Sequence, residues 1–117
     1  MGSKKLIDLT YLYEISDGNS DLINDLSEMF FKQIPEYQDL LTDSYNKKDF
    51  YSLGRIAHKA KSAIMMLGLK DLANELKNLE ENAKEGKNIN EYQEIIAKFV
   101  RESNIVLEEL REIKNNK

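Results

Sequence analysis

The chain contains one histidine, His58, and no cysteine, so its capacity for side-chain chemistry is concentrated at few positions. Arg55 precedes His58 by three residues and Lys61 follows it by three. In a helix these residues share a face, placing a cation one turn away on either side of the imidazole. Near neutral pH a free imidazole is largely uncharged and can act as a nucleophile. An adjacent ammonium such as Lys61 can neutralise the oxygens of an incoming phosphoryl group. Gly54 and Ser62 on the same face are small enough to let a partner surface approach, and Met65 adds apolar area beside them. On residue types alone, a lone helical histidine is ordinarily a solvated side chain. Arg55, Lys59 and Lys61 are then a solvated flank, and Met65 and Met66 pack in the core or at its rim.

What is missing narrows the chemistry. Absence of cysteine removes thiolate nucleophiles and disulfides. One histidine and no Glu-x-x-His pair do not make a metal-binding helical bundle. No glycine-rich phosphate loop is present, and no sharp strand-to-helix elbow offers a serine that could form a triad with His58. Self-sufficient catalysis is therefore not expected.

The elements that must position His58 are helical. At 117 residues, 41% apolar and 32% charged, the chain is globular in composition and suits one domain spanning residues 1–117. Five glycines and a single proline favour long helices over many short strands. A short helix is expected over Leu9 to Ile15, ended by Asp17-Gly18-Asn19. Ser20 is placed to cap a long second helix, with Asp21 at its positive end. Leu22, Leu26, Met29, Phe30, Tyr37, Leu40 and Leu41 form its apolar stripe, which keeps phase across Pro35, so the proline reads as a kink and not a stop. Asp49 caps a third helix through Leu53, Ile56, Ala57, Ala60, Ile64 and Leu67, ended by Gly68. A fourth carries Leu69, Leu72, Leu76, Leu79 and Ala83 and closes at Gly86. Asn90 and Gln93 have capping-box spacing for the last helix, whose buried positions are Tyr92, Ile96, Phe99, Val106, Leu110 and Ile113. The expected fold is all-α: an antiparallel up-down four-helix bundle with a short additional N-terminal helix.

The formal charge is −4, with acids and bases interspersed and no basic stripe, so nucleic acid is not an expected partner. No apolar run approaches the roughly 20 residues that span a bilayer, and the amino terminus has no secretory pattern. A cytoplasmic monomer is the expectation.

The segment Ala57-His58-Lys59-Ala60-Lys61-Ser62-Ala63, followed by Leu67-Gly68, resembles the phosphorylation motif of the histidine-containing phosphotransfer (HPt) domains of two-component phosphorelays. Phe30, Gln33 and Pro35, and then Leu72, Leu76, Leu79 and Glu80, also fall where that family carries comparable residues, so the likeness covers about residues 8 to 84. The resemblance implies that His58 is the phosphoacceptor and that Lys61 helps to hold the phosphoryl oxygens. It implies that Glu80 hydrogen-bonds the histidine, although from the sequence alone Glu80 reads as an exposed helical residue. Two positions depart from the family pattern: Ser62 replaces a glycine and Ala60 a leucine. The implied function is a phosphorelay intermediate, a phosphocarrier without autonomous kinase activity. It would take a phosphoryl group from a receiver-domain aspartate of a hybrid sensor kinase and pass it to the receiver domain of a response regulator. No cofactor is expected on this chain, the Mg²⁺ belonging to the receiver. Docking is expected through an apolar patch around His58, formed by Met65 and the first helix and bordered by Gly54, Arg55, Lys59 and Ser62. The alternative is a phosphate-free helical protein-interaction module, a degenerate HPt domain.

Overall fold

The structure is a computed structural model, and it describes residues 14, 17 and 19–115. Among the described residues there are four α-helices and no strand: α1 (Ser20–Asn46), α2 (Phe50–Met66), α3 (Lys70–Glu85) and α4 (Tyr92–Asn115), with a 3₁₀ turn (Ile89–Glu91) leading into α4. The short helix expected over Leu9 to Ile15 lies, but for Glu14, outside the described residues.

Helix α1 is capped one residue earlier than expected. The N-cap is Asn19, whose side-chain oxygen accepts from the amides of Asp21 and Leu22 at 2.9 and 3.1 Å. Asparagine caps as well as serine does, and Ser20 becomes the first helical residue. The helix runs through Pro35 without a break. Its core-facing seam is Ile23, Phe30, Ile34 and Leu41, all buried, with Leu26, Met29 and Tyr37 partly buried beside it. Leu22 and Leu40, expected in this stripe, are each 40% exposed. At about 100° per residue both lie about 80° to the same side of Phe30, while their neighbours Ile23 and Leu41 lie almost in line with it.

The other boundaries follow local chemistry. The Asp49 carboxylate accepts from the Ser52 amide at 3.2 Å and caps α2. Gly68 ends the helix with φ +80, and the amide of Leu69 returns to the carbonyl of Ile64 at 3.3 Å. Gly86 ends α3 in the same left-handed conformation. The expected capping box at Asn90 and Gln93 is replaced by the 3₁₀ turn, within which Asn90 sits. Asn88 adopts φ +56, and its side-chain amide donates to Asn82 at 3.2 Å. The chain therefore turns before Asn90 and reaches α4 already coiled.

Side-chain links establish the antiparallel register. His58 on α2 meets Glu80 on α3, Glu75 on α3 meets Lys98 on α4, and Gln38 on α1 bonds Ser103 and Asn104 on α4. The Arg111 guanidinium stands over the Phe31 ring, so residue numbers rise on one helix as they fall on the other. The core between the four helices is filled by Phe30, Leu41, Leu53, Ile64, Leu76, Leu79, Tyr92, Phe99 and their neighbours. Apolar surface removed from water stabilises a fold by about 25 cal/mol per Å², which makes this interior the main source of stability. The Ile113 side chain, expected at its end, lies outside the described residues.

Candidate functional site

The site forms where α2 and α3 cross closely. On α2 the buried positions are Leu53, Gly54, Ala57, Ala60, Ala63 and Ile64, a seam of mostly small residues that lets the two backbones approach. A β-carbon added at Gly54 would lie 3.4 Å from the Glu80 carbonyl oxygen and 3.5 Å from the Ala83 β-carbon. Gly54 is buried and shapes the site by bringing α3 close, so its small size serves the helix crossing more than an approaching partner. His58 lies about 100° round the helix from Ala57, at the edge of this seam. Its side chain is 57% exposed.

Glu80 is the residue whose surroundings differ most from the sequence reading. It follows Leu79 in the core stripe of α3, turned toward α2, and its side chain is only 9% exposed. It is not a solvated helical glutamate. One carboxylate oxygen, Oε2, lies 3.0 Å from His58 Nδ1 and 3.1 Å from Lys84 Nζ. The other, Oε1, is 3.6 Å from Lys61 Nζ. Burial pushes the Glu80 carboxyl up, but hydrogen bonds from Lys84 and His58, with the charges of His58 and Lys61, outweigh it and hold the group below the usual glutamate range. An ionised carboxylate can only accept. Nδ1–H is therefore the donor in this contact, so in the neutral form of the ring Nε2 carries the lone pair, on a side chain open to solvent.

The remaining residues divide around His58. An open depression of about 280 Å³ is lined by Gly54, Arg55, His58, Lys59, Glu80 and Lys84. Arg55 is exposed, with its guanidinium 5.8 Å from the Tyr51 ring centroid and 3.4 Å from the Tyr51 hydroxyl. Lys61, Ser62 and Met65 lie toward the other end of α2 and do not line the depression. The Ser62 hydroxyl donates back to the His58 carbonyl at 3.3 Å, so the polar atom added at this position is satisfied within its own helix. Met65 is 46% exposed. Sequence reasoning misses Lys84, although its position four residues after Glu80 is the spacing of a favourable helical ion pair. A larger open depression, about 420 Å³, lies beside Leu69, Lys98 and Glu102, away from His58. Among the described residues no group of three or more potential ligands could hold a metal ion, and no helix is long and apolar enough to cross a membrane.

A buried acid fixing one nitrogen of an exposed imidazole, with ammonium groups beside it, can present a neutral nucleophile and receive a dianion. The comparisons with known proteins agree in kind. The sequence profile of the Hpt domain family matches residues 25–115, which include the whole site and all but the first turn of the bundle. No curated protein and no solved structure matches the chain. Hpt domains are phosphotransfer modules that work with receiver domains of two-component systems and are carriers rather than kinases. With the match covering most of its length, and with the all-helical bundle to accompany it, the chain belongs to the Hpt domain family.

Proposed function

We propose that His58 Nε2 accepts a phosphoryl group from the aspartyl phosphate of one receiver domain and yields it to the aspartate of another. In the first step the nitrogen lone pair attacks phosphorus in line, an N–P bond forms and the acyl phosphate P–O bond breaks, releasing the donor carboxylate. The Nδ1 proton stays in place, so the phosphorylated ring carries a positive charge that the Glu80 carboxylate balances. In the second step the N–P bond breaks, the acceptor carboxylate forms the new O–P bond, and the ring leaves as neutral imidazole. No proton has to move in either direction. Lys61 lies within reach of the same carboxylate and supplies positive charge for the phosphoryl oxygens. The Mg²⁺ and most of the electrostatic catalysis belong to the receiver, as the charge developed in phosphoryl transfer requires. The chain itself needs no cofactor and has no kinase activity of its own.

The observation that carries this reading is the 3.0 Å contact between His58 Nδ1 and buried Glu80 Oε2 on a side chain otherwise open to solvent. The test mixes the chain with several pre-phosphorylated receiver domains and follows acid-labile, base-stable phosphate. Transfer to the wild-type chain and none to His58→Gln is expected. A chain that docks with receivers yet takes phosphate from none of them would instead be a phosphate-free interaction module.

A further inference from the structure

A carboxylate beside an imidazole does two things at once. It fixes the tautomer by accepting from Nδ1–H, and it stabilises the doubly protonated ring, which has no lone pair left for attack. A phosphoacceptor needs the first effect without the second. In this chain the carboxylate is not left to His58 alone. Lys84 Nζ lies 3.1 Å from the same oxygen that meets Nδ1, reaching it from one turn further along α3. The Lys84 side chain is largely exposed and lines the depression beside the ring.

We propose that Lys84 is a positioning residue for the transfer: it shares Glu80 Oε2 with His58 and offsets the carboxylate's charge, so that Glu80 holds the Nδ1–H tautomer without drawing a second proton onto the ring. This rests on His58 being the phosphoacceptor. The charged groups around the ring are Glu80 and Lys84 from α3, and Arg55, Lys59 and Lys61 from α2 itself. At the end of α1, Asp43 and the capping residue Lys47, with Asp49 at the start of α2, border the adjoining groove with Arg55 and Lys59, and Asp43 pairs with Lys47 at 3.0 Å. Arg55 is engaged by Tyr51, and Lys61 stands 3.6 Å from the opposite carboxylate oxygen. Lys84 alone among these cations is bonded to the oxygen that His58 uses, so it competes directly for the charge that would otherwise stabilise an imidazolium.

The experiment compares the wild-type chain with Lys84→Met, which keeps much of the side chain and removes its charge, and with Lys84→Arg, which restores the charge. Imidazole nitrogen resonances are followed against pH without phosphate, and initial transfer rates from a pre-phosphorylated receiver are measured over the same range. In Lys84→Met the Nδ1–H tautomer should persist while the ring takes its second proton at a higher pH than in wild type. Transfer near neutral pH should fall roughly threefold, the size expected for one partly screened charge, and recover at alkaline pH. Lys84→Arg should follow wild type. An unshifted ring titration in Lys84→Met overturns the proposal, and so does a rate deficit equal at every pH, which would place Lys84 against the phosphoryl group or the partner. If wild type receives no phosphate from any receiver, the phosphoacceptor reading fails, while the ring titration still decides whether Lys84 acts on His58.

Discussion

Helix α3 turns Glu80 toward α2 and Glu75 toward α4, and the two sites are mirror images in charge. Around Glu80 a single buried carboxylate is met by His58, Lys61 and Lys84. Around Lys98 a single ammonium is bonded to Glu75 and influenced by Glu102 and Asp71. The hydrogen bond to Glu75 raises the Lys98 pKa, burial opposes the rise, and the charges of Glu75, Glu102 and Asp71 add to it. Each cluster ties two helices together, so an interhelical ion pair does not by itself mark a functional site. What separates them is the surplus. At the α2–α3 seam it is positive and surrounds a nucleophile, which suits a phosphoryl dianion. At the α3–α4 seam it is negative, surrounds a hydrogen-bonded ammonium and would repel one.

Substitutions can break this contrast, beginning with its largest element. His58→Gln should abolish phosphate incorporation while the helical circular dichroism spectrum persists, and phosphate retained by this variant would remove His58 from the acceptor role. Glu80→Gln should slow transfer about tenfold, equivalent to about 1.4 kcal/mol of lost transition-state stabilisation, because a neutral amide, able to turn either its oxygen or its NH₂ toward Nδ1, holds the tautomer less firmly and does not balance the phosphorylated ring. Its folding stability should change by about 1 kcal/mol or less, since His58 and Lys84 can turn to water. A full transfer rate in Glu80→Gln, measured by stopped reaction and gel, would reduce Glu80 to a packing residue.

Two smaller effects sharpen the comparison. Lys61→Ala should slow transfer or shorten the phosphohistidine lifetime roughly threefold, as expected for removing one partly screened charge; unchanged kinetics would leave the phosphoryl group to other cations. Lys98→Met should leave transfer untouched and cost about 0.5 kcal/mol in urea unfolding, the scale of a partly exposed ion pair. The pH dependence of stability should separate the clusters by sign. The Glu80 carboxyl is lowered in the folded chain, so its contribution is present above the ordinary glutamate range and lost as pH falls through the folded value. The Lys98 ammonium is raised, so its contribution is present below the ordinary lysine range and lost as pH rises through the folded value. Urea unfolding across pH should therefore lose an acid-side component in Glu80→Gln and an alkaline-side component in Lys98→Met. Identical pH profiles for these variants and wild type would show that neither cluster couples to folding.

Much of the bundle is legible in the sequence because it depends on local rules. Asp49, Gly68 and Gly86 mark their helix ends through side-chain capping and left-handed backbone, both encoded within a few residues. The seams of α2 and α3 follow from periodicity, as does His58 at the edge of one of them. The α1 stripe reads too wide in sequence because Leu22-Ile23 and Leu40-Leu41 each offer adjacent apolar residues, and only packing against the other helices selects Ile23 and Leu41. Asn19 displaces Ser20 as the cap because two good capping residues stand side by side, and backbone geometry chooses between them.

Residue order alone dictates that the chain forms amphipathic helices with short connections, that His58 is its one imidazole, and that Lys61 accompanies it one turn away. Those properties depend on residue type and on spacings within one helix. Packing between helices is what buries Glu80, brings His58 and Lys84 to one of its oxygens, and lets α3 close upon α2 at Gly54. The His58–Glu80 contact joins residues 22 positions apart through the crossing of two helices. That crossing is set by the packing of Ala57, Ala60, Leu76 and Leu79 in the common core, and no periodicity along either helix contains it.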